Sequence, residues 1–169
     1  MDRRSFLAGS VAAVGLASGL WSGQHCWAGE VAASAETAKR ASREEAVAMV
    51  KKAIAQFKRD GAEKTYAAIM DAKGPYRDRD LYVWISDLKT GFTVAHGINP
   101  RLLGKDLTGI RDADGQAFVL NLQKLARLGK PGWVNYKWPN PTTNVIESKT
   151  TYFEPWADLA FCAGVYLPE

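Results

Sequence analysis

The sequence predicts an α+β domain in which helices pack on an antiparallel sheet of five strands. Apolar residues recur at helical spacing from residue 43 onward, a β-rich hairpin follows at 81–96, and strand-like runs occupy 133–138, 145–154 and 159–166. Because these strands follow one another and do not alternate regularly with helices, we expect the sheet to be antiparallel.

Three helices are predicted. The first begins at Arg43 and ends near Gly61, because its apolar residues fall three and four positions apart on one face. The second covers 62–70, with Tyr66 and Ile69 inward, and Gly74-Pro75 ends the pattern. The third covers 117–128. The apolar positions are Val47, Val50, Ile54 and Phe57 in the first helix and Phe118, Leu122, Leu125 and Ala126 in the third.

Five strands are predicted in two groups. Residues 81–86 and 92–96 form a hairpin around the turn Asp87–Gly91. The other three strands form a meander, joined by Asn140-Pro141 and by residues 155–158.

The first two strands of the meander carry a cation among aromatic residues. Alternate residues of a strand share a face, so Tyr136 stands with Trp138, and Lys149 stands with Glu147 and Thr151. One interpretation is a half-buried sheet with Lys149 in water. The other is a cavity in which Tyr136, Trp138 and Lys149 surround a carboxylate. Strand alternation alone leaves both interpretations open.

Residues 1–28 are predicted to be an export signal. Arg3-Arg4 precede an apolar run over residues 6–21, which is shorter than the roughly 20 apolar residues of a spanning helix. The paired arginines before Ser-Phe-Leu resemble a twin-arginine signal, although Asp2 and Ala8 depart from that pattern. The general secretory route is the alternative, and the residues before Cys26 lack a lipobox.

Signal removal would leave a flexible leader over 29–42 and one domain over 43–169, located in the periplasm without a stable membrane anchor. Loss of two Arg and one Asp from 22 basic and 18 acidic residues would leave a net charge of +3. This mild basicity is spread along the chain, so no nucleic-acid partner is expected.

The mature chain would keep one histidine, His96, and one cysteine, Cys162. This inventory excludes an internal disulfide, a Cys/His zinc cluster and a c-type haem attachment site, and no cofactor or metal is expected. A hydrolase would have to use His96, yet no Gly-x-Ser-x-Gly motif accompanies it, and Cys162 lies among apolar neighbours in a strand. We therefore expect no enzymatic activity.

The segment Asp112-Ala113-Asp114-Gly115 lacks the later ligands of a calcium loop, since Ala117 and Gln123 stand in their places. It is predicted to be a tight turn in which Asp112 or Asp114 caps the following helix.

Seven segments resemble, in order, a known family. They are Ala95–Pro100, Leu103–Leu107, Asp112–Gly115, Gly132–Trp138, Pro141-Thr142, Lys149–Tyr152 and Gly164–Tyr166. Together they closely resemble the single Cache domain, type 2, over about Val47 to Tyr166. The resemblance implies an extracytoplasmic sensor module with a long N-terminal helix over a five-stranded, PAS-like antiparallel sheet that encloses a small ligand.

For this family the resemblance implies a short organic acid such as acetate, propionate, pyruvate or lactate. It further implies a ligand site formed by the hairpin, the loop after it and the meander. The corresponding residues are Tyr82, Trp84, His96, Arg101 within the loop 99–103, Tyr136, Trp138, Lys149 and Tyr152.

The chain ends at Glu169, shortly after the last strand, so we expect no transmembrane signalling parts of its own and a membrane-bound or periplasmic protein partner. The alternative is an accessory subunit of an exported complex, with a vestigial cavity.

Overall fold

A computed structural model describes residues 40–168, which form one long helix, a shorter helix and a six-stranded antiparallel sheet. The predicted export signal and residues 29–39 of the predicted leader lie outside the described residues. Residues 40–42, the last three of that leader, pack against the domain: Ala41 is buried, and its N–H donates to the Asp80 carboxylate at 2.8 Å.

The long helix, α1 (Arg43–Met70), begins at Ser42 with a capping box in which Ser42 and Glu45 exchange side-chain to backbone hydrogen bonds. Gly61 interrupts it with φ 82° and ψ 179°, a left-handed backbone conformation that glycine adopts without steric cost. The predicted end of the first helix near Gly61 and the second helix over 62–70 are therefore confirmed as the two halves of one kinked element.

The strands are β1 (Arg77–Asp78), β2 (Leu81–Asp87), β3 (Thr93–His96), β4 (Gly132–Pro139), β5 (Ile146–Trp156) and β6 (Leu159–Tyr166). The main sheet has the order β3-β2-β6-β5-β4, and β1 adds a two-residue pair to the start of β2. The predicted α+β fold with five main strands is confirmed, and β1 was not predicted. The last strand therefore lies between the first hairpin and the rest of the meander.

The two faces of the sheet carry separate apolar clusters. One face packs against α1 through side chains that include Val83, Ile85, Tyr152, Phe161, Ala163 and Val165. The opposite face packs against the second helix, α2 (Phe118–Ala126), through side chains that include Tyr82, Trp84, Val134, Tyr136, Phe153 and Cys162. Alternate side chains of β2, β5 and β6 thus point to the two opposite faces of the sheet.

The prediction that Asp112 or Asp114 caps α2 is wrong. The residue before α2 is Ala117, and no side chain caps that helix. Asp112 instead accepts hydrogen bonds from the backbone N–H of Asp114, Gln116 and Lys137. Its carboxylate therefore closes the turn and binds the outer edge of β4, which is an edge strand of the sheet formed by residues 40–168.

Among residues 40–168, neither helix combines the length and the apolar character needed to cross a bilayer.

Candidate functional site

Lys149 lies inside the sheet, and its side chain crosses the neighbouring strand. It pairs with Tyr166 of β6 in the strand register. A Cβ atom on Gly164 would lie 2.4 Å from Lys149 Cε and 2.2 Å from Thr151 Oγ1. The Lys149 side chain therefore passes over Gly164, where the Cβ of any other residue would block it. Its Nζ reaches the Tyr82 hydroxyl on β2 at 3.0 Å.

Two tyrosines surround the Lys149 ammonium. Nζ donates to the Tyr82 hydroxyl at 3.0 Å and to the Tyr166 hydroxyl at 3.1 Å. It also lies 4.1 Å and 4.3 Å from the centres of the same two rings, within the range of cation–π attraction. Lys149 is 1% exposed, and within the described residues it forms no ion pair with an Asp or Glu.

Burial lowers the pKa of Lys149 to about 7, and the negative charge of Asp80 opposes this shift. Removal from water disfavours the charged ammonium, and hydrogen bonds to neutral phenols offset this loss of hydration less than a carboxylate would. An anion brought next to Nζ would therefore stabilise the protonated form.

The acidic side chain two residues away on the same strand, Glu147, is bound elsewhere. Its carboxylate accepts hydrogen bonds from Arg40, Asn140 and Thr143. Burial opposes its ionisation, but the hydrogen bonds from Thr143, Asn140 and Arg40 outweigh burial and lower the pKa of Glu147. Glu147 is thus ionised without pairing with Lys149.

A cavity of about 20 Å³ lies between the sheet and α2, a space that holds about one water molecule. A short organic acid is larger, so the cavity must widen to admit one. Lys149 reaches the cavity through its contact with Tyr82, which is part of the wall. The lining residues are Tyr82, Trp84, His96, Leu102, Leu107, Phe118, Val119, Tyr136 and Trp138.

His96, at the end of β3, is 7% exposed, and its ring lies 5.2 Å from the Tyr82 ring. Its Nδ1 accepts from the backbone N–H of Ile98 at 3.3 Å and of Asn99 at 3.0 Å. Burial, together with the nearby charge of Lys149, lowers the pKa of His96 to about 4. His96 is therefore a neutral imidazole at physiological pH.

An aromatic stack closes the far side of the cavity. The rings of Phe118 and Tyr136 are parallel within 10°, with centroids 3.9 Å apart, and Trp138 meets Phe118 edge-on at 5.2 Å. The Tyr136 hydroxyl shares a hydrogen bond of 2.8 Å with Thr151 Oγ1, and burial raises the pKa of Tyr136 well above its ordinary value. Phe118 belongs to α2, so a shift of this helix would change the size of the cavity.

The structure brings together six of the eight predicted site residues and separates the other two. Tyr82, Trp84, His96, Tyr136 and Trp138 line the cavity, and Lys149 contacts its wall.

Tyr152 faces α1, packs against Trp133 at 5.2 Å between ring centres, and donates to Glu154. It cannot share a cavity with Lys149, because the parity of β5 places it on the opposite face. Arg101 is exposed in the 3₁₀ segment Pro100–Leu102, where its neighbour Leu102, and not Arg101, lines the cavity.

Sequence reasoning missed Tyr166, Gly164, Thr151 and Phe118 as site residues. Gly164 and Tyr166 stand in the last of the family-like segments, and Thr151 shares the face of Lys149 by strand alternation. These three had a signal in the sequence. Phe118 was predicted only as an inward residue of a helix, because its stacking partner lies on a different element.

The candidate site contains groups that can bind an anion. Among residues 40–168, no group of three or more His, Cys, Asp or Glu side chains is arranged to hold a metal ion. Cys162 is fully buried, and burial raises the pKa of its thiol well above the ordinary value, which keeps it protonated. The side chains around the cavity supply one cation, hydrogen-bond donors and apolar walls.

Comparisons with known proteins agree with this fold. A family model described as Single Cache domain 2 matches residues 30–167. The methyl-accepting chemotaxis protein McpP of Pseudomonas putida is 40% identical over 95 residues, which are 54% of this chain and 17% of McpP. The chain thus spans about a sixth of that relative's length.

Three solved structures share the fold. A periplasmic sensor domain of a chemotaxis protein has a TM-score of 0.57 and 24% identity, over 83% of this chain and 97% of that chain. A methyl-accepting chemotaxis protein from Vibrio parahaemolyticus has a TM-score of 0.60 and 20% identity, over 81% and 92% of the two chains.

The third, described as the structural basis for carboxylic acid recognition by a Cache chemosensory domain, has a TM-score of 0.56 and 26% identity, over 74% and 88% of the two chains. Because the family model matches most of the chain, this protein belongs to the family of single Cache domains, type 2.

Proposed function

We propose that this domain is a periplasmic, non-catalytic sensor module that binds a short organic acid, with Lys149 as the partner of the carboxylate. The observation that carries the proposal is the buried ammonium of Lys149, which has two phenol hydroxyls and no carboxylate among its described partners. Carboxylic acid recognition by a structural neighbour that is 26% identical supports the ligand class.

The size of the ligand limits the affinity. At a ceiling of roughly 1.5 kcal/mol per non-hydrogen atom, acetate gains about 6 kcal/mol, which is a dissociation constant of tens of micromolar. A charge-assisted contact with Lys149, worth about 1.5–3 kcal/mol, would be a large share of that total. The domain therefore suits sensing of micromolar to millimolar acid and not tight storage.

The experiment is calorimetric titration with acetate, propionate, pyruvate and lactate. We expect at least one acid to bind the wild type and none to bind Lys149→Met. The matched control is Lys137→Met, because Lys137 lies on the adjacent strand β4 and pairs with Asp114 at the surface. Binding by Lys149→Met equal to that of the control would contradict the role of Lys149.

An accessory subunit with a vestigial cavity is the second candidate, and the small cavity volume of about 20 Å³ favours it. Buried Lys149 argues against it, because burying a cation is costly and a vestigial cavity has no use for one. Absence of heat with all four acids, together with recovery of a stoichiometric protein partner from the periplasm, would favour this candidate.

A further inference from the structure

His96 lines the cavity, and its ring proton is on one defined nitrogen. The backbone N–H groups of Ile98 and Asn99 both donate to Nδ1, so the lone pair of the neutral ring must be on Nδ1 and the proton on Nε2. The structure gives Nε2 no hydrogen-bond partner among residues 40–168, although His96 is 7% exposed and lines the cavity. The loop after β3 therefore fixes the tautomer.

Among the described residues, the other polar groups around the cavity offer no charged acceptor for a cationic ligand. Trp138 Nε1 is a donor only. The Tyr82 oxygen already accepts from Lys149, and the Tyr136 hydroxyl is paired with Thr151. Among residues 40–168, no Asp or Glu lines the cavity, and apart from the Trp84 indole N–H the remaining lining side chains are apolar.

We propose, on the basis of the proposed function, that His96 makes the site select among short acids by the substituent on carbon 2. Its Nε2–H donates to an oxygen acceptor there, so the site prefers a 2-oxo acid to the unsubstituted acid of the same length and rejects the 2-amino acid.

The three acids to compare are propionate, pyruvate and L-alanine, which share a three-carbon skeleton and a carboxylate. One added neutral hydrogen bond corresponds to an affinity gain of about tenfold for pyruvate over propionate. L-alanine would bring an ammonium next to Lys149 and into a cavity that no Asp or Glu of residues 40–168 lines, so its binding should fall below detection.

Two substitutions separate the roles of the two ring nitrogens. His96→Asn keeps an acceptor near the position of Nδ1 and loses the donor, whereas His96→Gln places an amide N–H near the position of Nε2 and loses the acceptor for the loop. We expect His96→Asn to bind propionate and pyruvate equally, and His96→Gln to keep the preference for pyruvate while unfolding at a lower temperature. A purely structural role would change stability without changing the affinity ratio.

Equal affinity of the wild type for propionate and pyruvate, or an unchanged ratio in His96→Asn, would overturn the inference while leaving the proposed function intact. Failure of the wild type to bind any acid would instead overturn both. Long-range ¹H–¹⁵N NMR of the wild type gives a test that needs no variant. A proton on Nε2 is expected, and a proton on Nδ1 would refute the assignment.

Discussion

Replacing Lys149 with Met is expected to stabilise the free domain while removing its response to acids. The pKa of Lys149 falls from 10.5 to about 7 on burial. At about 1.4 kcal/mol per pKa unit, burying the protonated amine destabilises the folded state by at most about 5 kcal/mol. Met has a similar length and buries no charge. It loses two hydrogen bonds to tyrosine hydroxyls, each worth about 1 kcal/mol. The expected net gain at pH 7 is about 1–3 kcal/mol.

Urea denaturation at pH 7 measures this gain as a higher midpoint at an unchanged slope. The dependence on pH gives an independent check. The unfolded chain keeps the Lys149 proton up to its ordinary pKa of 10.5, and the folded chain loses it near 7. Between pH 7 and 10.5 the unfolded state binds more protons than the folded state. The contribution of Lys149 to the free energy of unfolding of the wild type therefore rises with pH over this range. The difference between wild type and Lys149→Met should therefore shrink as pH rises from 7 to 10.

A lower stability of Lys149→Met than of wild type at pH 7, at the same denaturation slope, would contradict the expected stabilisation. That result would mean that the contacts with Tyr82 and Tyr166 stabilise the fold by more than the burial of the amine costs. Lys149 would then be a structural residue, and its burial would no longer indicate a ligand.

Affinity for propionate should be nearly constant from pH 5.5 to 6.5 and fall about tenfold between pH 6 and 8. The reason is that binding needs the ammonium and that the pKa of Lys149 in the free domain is about 7. Calorimetry at each pH measures the affinity, and an affinity that does not change with pH would contradict the prediction. Gly164→Ala should lower the free energy of unfolding by about 2 kcal/mol or more, because its Cβ would lie 2.2 Å from Thr151 Oγ1 and 2.4 Å from Lys149 Cε. Gly109→Ala is the control for Gly164→Ala, since nothing lies within 4 Å of its added Cβ, and similar denaturation midpoints for the two variants would disprove the close-packing argument.

The helices and strands could be predicted from the sequence because their signals are local. Helical spacing located α1 and its break at Gly61, and β-rich runs located the main strands. Alternation also paired Tyr136 with Trp138 correctly on one face. The exception is the Asp112 turn, where an aspartate before a helix predicts a cap, but the open edge of β4 offered the better hydrogen-bond partner.

The candidate site could be predicted only in part, because alternation relates residues within a strand and does not say which face of each strand meets the cavity. Tyr152 and Lys149 are three positions apart on β5 and face opposite layers. The contact between Lys149 and Tyr82 joins positions 67 residues apart. It depends on β6 lying between β5 and β2, and on Gly164 leaving room there. No pattern within a single segment contains that information.

The way the fold binds its nearby acids strengthens the case that Lys149 is kept for a ligand. Glu147, on the same face of β5, is held by Arg40 and two neutral side chains, and the Asp80 carboxylate accepts from the backbone of Ala41. A buried ion pair with either acid would have raised the pKa that burial lowers, yet the negative charge of Asp80 offsets that shift only in part. Glu147 instead faces Arg40 and the turn between β4 and β5. One Asp80 oxygen accepts from Ala41, and the other has no hydrogen-bond partner among residues 40–168. The ammonium is left with phenol oxygens, which an incoming carboxylate can replace as its partner.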